Sequence, residues 1–304
     1  MSGGPGGPGA AAERSNRTSG ALMPRLSSFL PSFLARRPRR LEVVELRSEA
    51  LRGRRTAYAL LRAPTLPGVD PGGLPVVLLL HGMGGSHLEL DRHGLSDTLI
   101  QAMQQGRLPP LHIVAPDGKR GFYLNWHDGS NRFEDHIVQE VLPHAEASLE
   151  LQAVPRQRRQ VAGCSMGGIG ALFIGLRHPE FFGAVASLSG LIMDEQQSDH
   201  FVSRSWISKV APLNRIFGQV SDRAFFESHN PYCIIDRRAP DVGQRLFVAA
   251  ATGDRGMIRA TSEQFHRHLE ERGVAHHWEL FEGQHTWISW SPVLERAFRY
   301  GLSA

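Results

Sequence analysis

From Leu41 onward, short apolar or alternating runs take turns with longer stretches in which apolar residues recur every three or four positions. The first pattern suits strands and the second amphipathic helices. Strands are predicted at residues 41–47, 56–62, 75–80, 111–115, 160–162, 184–188, 246–250 and 278–281, and helices at 88–105, 132–150, 166–177, 256–272 and 287–300. The first two strands alternate apolar and polar residues with no room for a helix between them, so they pair antiparallel. The later strands are more continuously apolar and separated by helices, which calls for parallel pairing through right-handed crossovers. The expected architecture is α/β: about eight strands in a mostly parallel central sheet, flanked by helices, with the first strands antiparallel. Residues 191–244 break the alternation with short helical pieces and no clear strand, and read as a cap-like insertion. No internal repeat is present.

Residues 1–40 lack this pattern. Met1 to Gly20 is rich in Gly, Pro, Ala and Ser with little to bury, and is expected to be disordered. Its literal GxGxxG at Gly4, Gly6 and Gly9 follows no strand and is no dinucleotide fingerprint. Asn16-Arg17-Thr18 has the form of a glycosylation sequon, which carries no weight without evidence of secretion. Leu26, Phe29, Leu30, Phe33 and Leu34 recur at helical spacing before an arginine cluster, as in a membrane-surface helix or targeting peptide. Pro24, Pro31 and Pro38 break such a helix, so a solvated basic leader (1–40) is expected ahead of a folded domain (41–304). Met23 offers an alternative start that omits the first stretch.

Charge follows the same division. The 304 residues hold 34 Lys+Arg and 30 Asp+Glu, a net +4, with an isoelectric point near 9.5. Residues 1–40 contain seven arginines and one acid, a balance of +6, so the rest of the chain carries −2. The basic isoelectric point therefore belongs to the leader, and no nucleic-acid partner is needed to explain it. A 41% hydrophobic fraction is enough for a real core. The two cysteines, Cys164 and Cys233, cannot build a disulfide framework or a Cys-based zinc ribbon, and point to a reducing, cytoplasmic setting. No apolar run approaches the ~20 residues of a membrane-spanning helix.

The chemistry centres on Gly163-Cys164-Ser165-Met166-Gly167-Gly168, between the fifth strand and the helix after it. G-x-S-x-G arises by chance roughly 0.2 times in such a chain, so its placement at a strand-to-helix turn is what identifies a nucleophile elbow. Serine needs a general base oriented by an acid, in the chain order Ser, Asp/Glu, His. Asp254 ends the seventh strand and His285 follows the eighth, where that order requires them. Glu282 is too close along the chain to reach the His285 ring, and Asp236 and Asp241 precede the seventh strand. The loop His81-Gly82-Met83-Gly84-Gly85-Ser86 and the residue after the nucleophile would supply backbone N–H groups to an oxyanion, from Met83 and Met166. That loop lacks the Gly-Lys-Ser/Thr ending of a phosphate loop. His266, His268, His276 and His277 do not have the spacing to face one metal ion and are expected to be surface residues.

Over about residues 55–300 the sequence resembles the α/β-hydrolases of the putative-esterase family, which include esterase D, the antigen 85 mycolyltransferases, and tributyrin and feruloyl esterases. The resemblance rests on Leu80-His81-Gly82-Met83-Gly84-Gly85, Ala115-Pro116-Asp117-Gly118, Phe122-Tyr123-Leu124-Asn125-Trp126 and Phe133-Glu134-Asp135 with Gln139-Glu140-Val141-Leu142-Pro143. It continues through Gly163 to Leu172, Thr252-Gly253-Asp254, and Gly283-Gln284-His285-Thr286-Trp287 with Trp290. It implies the α/β-hydrolase fold, Ser165 as nucleophile, Asp254 as orienting acid, His285 as base, and Met83 with Met166 as oxyanion donors. Cys164 and Ile169 stand where the glutathione-thioester branch carries histidines, and Gly167-Gly168 stands where the mycolyltransferases carry small residues other than a glycine pair.

The expected activity is that of a serine carboxylesterase acting on short-chain esters through an acyl-enzyme, on a small-molecule substrate and without cofactor or metal. An acyltransferase or thioesterase using the same acyl-enzyme is the alternative, followed by a non-catalytic binding module whose leader docks on membrane. Tyr123, Asn125, Trp126, Trp206 and Trp287 are the expected substrate contacts, facing a pocket to which the insertion contributes Trp206, Phe217, Phe225 and Phe226. Cys164 points away from the site in such an elbow.

Overall fold

A computed structural model describes residues 1, 3–4, 40–238, 243–254 and 256–303. The leader's apolar stripe and arginine cluster lie outside the described residues, Arg40 apart, as does Asp241. All eight expected strands form: β1 (Glu42–Ser48), β2 (Arg54–Leu61), β3 (Val76–Leu80), β4 (His112–Pro116), β5 (Arg159–Cys164), β6 (Ala184–Leu188), β7 (Arg245–Gly253) and β8 (His276–Gln284). They make one sheet in the order β1-β2-β4-β3-β5-β6-β7-β8. β1 pairs antiparallel with β2, and β2 with β4; every later pairing is parallel. β3 and β4 to β6 are buried along almost their whole length because helices cover both faces, which is why they read as unbroken apolar runs. β7 and β8 outrun their neighbours and pair with each other past the end of β6, with a register shift between Ala251 and Gly253. Asp254 and His285 are the residues that follow this longer pair.

Two expected helices differ from the pattern. The segment 88–105 is two helices, α1 (Glu89–Arg92) and α2 (Leu95–Gln104), because Gly94 adopts φ +70° between them. The segment 132–150 comprises α3 (Phe133–Asp135), a π-helical stretch (His136–Val141) and α4 (Leu142–Ser148). Pro143 has no N–H to donate and its ring would meet the carbonyl four residues back, so the preceding turn widens. α5 (Met166–Arg177) follows β5 and is buried along nearly all its length. Between β6 and β7 come α6 (Glu195–Arg204), a short 3-10 turn (Trp206–Lys209), α7 (Leu213–Phe217), α8 (Arg223–His229) and α9 (Pro231–Arg237), with no strand among the described residues. α10 (Met257–Glu271) and the C-terminal α11 (Trp287–Leu302) complete the layers. The core lies in two clusters. One contains Tyr123, Leu172 and Phe201 with Leu78 and Val161, the other Leu99, Phe247 and Phe298 with Val77 and Ala162. The alternation of neighbouring strand residues between these clusters is the period of two made physical. Among the described residues, no helix is long and apolar enough to cross a membrane.

The buried histidines give the fold an acid-sensitive stability. Burial, helped by the charge of Arg62, lowers the His112 pKa to about 4, while its Nδ1 accepts the Ala63 N–H at 3.2 Å. Burial and Arg177 lower His229 to about 4 as well. A histidine whose folded value lies below its unfolded value stabilises the fold at pH above about 6.5, and that contribution is lost as pH falls toward 4. Thermal melts from pH 7.5 down to 4.5 should therefore show a steeper fall for the wild type than for His112→Asn, whose amide oxygen keeps the Ala63 hydrogen bond. The difference should reach roughly 2 kcal/mol at the acid end; parallel slopes would show that His112 is not part of the acid response.

Candidate active site

Ser165 sits on the turn between β5 and α5 with φ +59° and ψ −120°. That conformation costs a non-glycine residue energy, and the turn holds it by tying Ser165 N–H to the Leu188 carbonyl (2.9 Å). The flanking glycines are required by close approach. A Cβ on Gly163 would lie 2.2 Å from the Gly167 carbonyl oxygen, and one on Gly167 would lie 2.1 Å from that of Leu80. No side chain larger than hydrogen fits either point, so the motif is read directly from the packing of β5, β3 and α5.

The structure brings the three expected side chains together. Asp254 Oδ1 accepts from His285 Nδ1 at 2.6 Å, and His285 Nε2 lies 2.9 Å from Ser165 Oγ, within reach of its hydroxyl proton. The second carboxylate oxygen of Asp254 accepts the Ala251 N–H at 2.8 Å, which fixes the carboxylate plane. The Asp254 side chain is wholly buried, whereas the His285 ring is 27% exposed. Trp290 meets the His285 ring edge to face, centroids 4.8 Å apart, and is itself held by its Nε1–H on Ser189 Oγ at 2.9 Å. The competing acids are elsewhere: Asp236 pairs with His268 and Arg272, and Glu282 is exposed.

The loop after β3 turns against Ser165. A Cβ on Gly82 would lie 3.3 Å from Ser165 Cβ, and Gly85 N–H closes the turn on the Gly82 carbonyl at 3.1 Å. Met83 lies inside this turn and Met166 opens α5; neither backbone N–H donates to an acceptor among the described residues. The loop is pinned from below. Tyr123 O–H donates to the His81 carbonyl (2.8 Å), and His81 Nε2 accepts Gly118 N–H (3.1 Å), which leaves Nδ1 to donate to the Gly82 carbonyl (2.8 Å). Burial would raise the Asp117 carboxyl, but hydrogen bonds from the Lys119 N–H (3.1 Å) and ammonium (2.6 Å) hold it well below the usual carboxylate range. These supports stand in the stretches that carry the family resemblance. His81 and Asp117 stood in the sequence beside the glycines, but only contact shows what they hold.

The expected substrate contacts fare differently. Tyr123 has no solvent exposure, packing between Gly118 and Gly170, and is a support of the loop rather than a pocket wall. Burial raises its pKa well above the ordinary value, so it stays a hydrogen-bond donor. Trp287 is likewise buried, its Nε1–H donating to Glu89 Oε2 at 3.0 Å, which ties α11 to α1 beside the loop. Asn125 accepts the Asp135 N–H at 3.1 Å and caps the turn into α3. Trp206 is 69% exposed on its 3-10 turn and lines none of the cavities described below. Trp126 alone of the five faces an open groove. The insertion does supply the walls of an apolar cavity of about 60 Å³, through Leu191, Phe201, Phe217 and Phe226, with Ile169 and Phe173 of α5 opposite. Ser165 and His285 do not line it, but Ile169 begins one helical turn after Ser165 and donates its N–H to the Ser165 carbonyl (3.2 Å).

The histidine cluster at β8 is more connected than its spacing suggested. His266 Nδ1 and His276 Nε2 are 2.7 Å apart, with Trp278 stacked on the His266 ring, and His277 stacks on Phe247. Helix and strand residues ten apart meet because the chain reverses at Gly273 (φ +64°), bringing the start of β8 back toward α10. Among the described residues no group of three or more His, Cys, Asp or Glu has the geometry of a metal site.

The sheet order, the elbow and the Ser-His-Asp relay define a serine hydrolase of the α/β-hydrolase fold. Solved structures of that fold include FphF, a fluorophosphonate-binding serine hydrolase of Staphylococcus aureus, with a TM-score of 0.70 and 19% identity over 87% of this chain and 98% of that one. MPT51 of Mycobacterium tuberculosis gives a TM-score of 0.70 and 20% identity over 87% and 98%. Among curated relatives, the chain is 23% identical over 237 residues to the acetyl esterase of Caldicellulosiruptor saccharolyticus, covering 76% of this chain and 85% of that protein. It is 29% identical over 231 residues to esterase Rv1288 of Mycobacterium tuberculosis, covering 69% and 48%. The family model described as Putative esterase matches residues 50–300, and the chain belongs to that family. It is a carboxylic ester hydrolase.

Proposed function

We propose that this protein is a serine carboxylesterase for short-chain esters, working through an acyl-enzyme on Ser165. The observation that carries this reading is the unbroken relay from Ser165 Oγ through both ring nitrogens of His285 to the buried Asp254. His285 takes the Ser165 proton as the oxygen attacks the ester carbonyl, and the N–H groups of Met83 and Met166 receive the developing oxyanion. His285 then passes that proton to the departing alcohol, and the same ring activates the water that releases the acid. Asp254 holds the ring in the tautomer that leaves Nε2 free to accept. Cys164 is no rival nucleophile: its thiol is buried, and burial together with the Asp254 charge raises its pKa well above the ordinary value. Residues 41–304 act as one catalytic domain, with 191–244 as its cap. Free Cys164 and Cys233 suit a cytoplasmic setting.

The apolar cavity beside Ile169 is assigned to the acyl chain. Its volume of about 60 Å³ is less than half that of an apolar cavity of about 150 Å³ that takes up benzene. A series of p-nitrophenyl esters should show kcat/KM highest from acetate to butyrate and at least about tenfold lower for octanoate. A fluorophosphonate probe should label Ser165. Turnover that rises steadily with chain length would remove the cavity assignment, and a stable adduct at any other residue would remove the nucleophile.

A further inference from the structure

Beside the oxyanion loop runs a second space of different character, an open groove of about 420 Å³ walled by Gly84 and Gly85 of that loop and by Trp126. Three cations, Arg54, Lys119 and Arg120, line it, and no carboxylate side chain does. Their charges are not equally free. Lys119 Nζ is bonded to Asp117 Oδ2 at 2.6 Å, so its charge is already met. Arg120 donates to the Val210 carbonyl at 3.3 Å, and Arg54 bonds the Leu51 carbonyl (2.9 Å) and the Asn131 amide oxygen. Neither guanidinium has a carboxylate partner among the described residues. Residues 41–304 carry a net negative charge, yet two guanidiniums without a carboxylate partner face this one groove.

The groove is also close to the chemistry. Gly82 and Gly85 are the ends of one hydrogen-bonded turn, and a Cβ on Gly82 would lie 3.8 Å from Ser165 Oγ. The ends of such a turn are less than about 7 Å apart, which puts Gly85 within roughly 12 Å of the nucleophile. An ester held at Ser165 has two halves to place. The apolar cavity is walled mostly by Leu, Ile, Phe, Val and Met side chains with no Arg or Lys among them, and suits an uncharged chain. The groove is open, cationic and flanked by the Trp126 indole, and suits a planar group carrying negative charge.

We infer that the groove selects esters whose alcohol half carries a carboxylate, bound by Arg54 and Arg120 while the acyl chain occupies the apolar cavity. The carboxylate takes no part in bond making. This rests on the esterase reading above, and the natural alcohol would then be a hydroxy acid. Specificity of this kind appears in kcat/KM, since the guanidiniums hold the alcohol half through the transition state.

The test compares meta-acetoxybenzoate with its methyl ester, each rate divided by its hydroxide-catalysed rate. At low ionic strength kcat/KM should favour the carboxylate by about tenfold or more, and the preference should shrink in molar salt. In Arg54→Gln and Arg120→Gln the preference should fall by about tenfold, with Arg120→Lys keeping part of it. Hydrolysis of both esters without preference, or a preference untouched by either substitution, overturns the groove assignment and leaves the esterase reading standing. A preference instead for p-nitrophenyl hemisuccinate, with its carboxylate on the acyl half, overturns the orientation. No turnover of any of these esters overturns both readings together. The wild-type comparison and its salt dependence need no variant, so misfolding of a substituted protein cannot mimic either result.

Discussion

Replacing Ser165 by alanine should lower kcat on a short p-nitrophenyl ester by roughly a millionfold, leaving only the acceleration that binding and the oxyanion donors supply. The expectation follows from geometry. The hydroxyl is the only nucleophilic atom within hydrogen-bonding reach of His285 Nε2 among the described residues, at 2.9 Å. The neighbouring Cys164 thiol is buried, and burial with the Asp254 charge raises its pKa well above the ordinary value. Alanine keeps the turn's positive φ with no larger Cβ than serine, so a melting curve close to that of the wild type should accompany the loss. Steady-state rates with active-site titration check it. Residual activity above about one per cent, in protein shown free of wild type, would mean that another group attacks the ester.

The second large effect is expected from Asp254→Asn, about ten-thousandfold in kcat with little change in KM. The native carboxylate accepts two N–H groups, from His285 through Oδ1 and from Ala251 through Oδ2. An amide has one acceptor and one donor. If its oxygen keeps the Ala251 N–H, its NH2 faces His285 Nδ1, which must then accept. The ring proton moves to Nε2, where the lone pair that should take the Ser165 proton is needed. The site remains assembled in the wrong tautomer. Labelling of Ser165 by a fluorophosphonate should slow in parallel with ester hydrolysis, because both depend on the same deprotonation. A loss of tenfold or less would mean that the ring is oriented by something other than this carboxylate.

The two expectations differ in how far ahead of the structure they could be seen. Ser165 was legible because its requirements are local. The glycines two positions either side, the apolar strand before and the helix after all lie within about ten residues, and the clash of a Cβ on Gly163 or Gly167 with backbone is the physical content of that pattern. Asp254 and His285 were legible in a weaker sense, as polar residues ending strands in the required order. Their meeting depends on β7 and β8 running past β6 together, which pairing alone decides. The aromatic and amide side chains expected at the pocket were mostly not legible. Hydropathy treats Tyr123, Trp206 and Trp287 alike as large apolar residues. One became a fully buried pin beneath the loop after β3, one an exposed ring, and one a hydrogen-bond donor to Glu89.

By itself, then, the chain determined what depends on near neighbours: strand and helix periods, the antiparallel start, the elbow and its serine, and a basic charge concentrated in residues 1–40. Tertiary structure decided what depends on residues far apart in sequence. It set the order of the strands and carried β7 and β8 past the end of β6 together. It chose the carboxylate that meets the His285 ring, and turned the Arg54 and Arg120 guanidiniums toward one groove. The reason is physical. Periodicity and backbone sterics act over a few residues, whereas burial, charge pairing and side-chain direction depend on what the folded chain brings alongside.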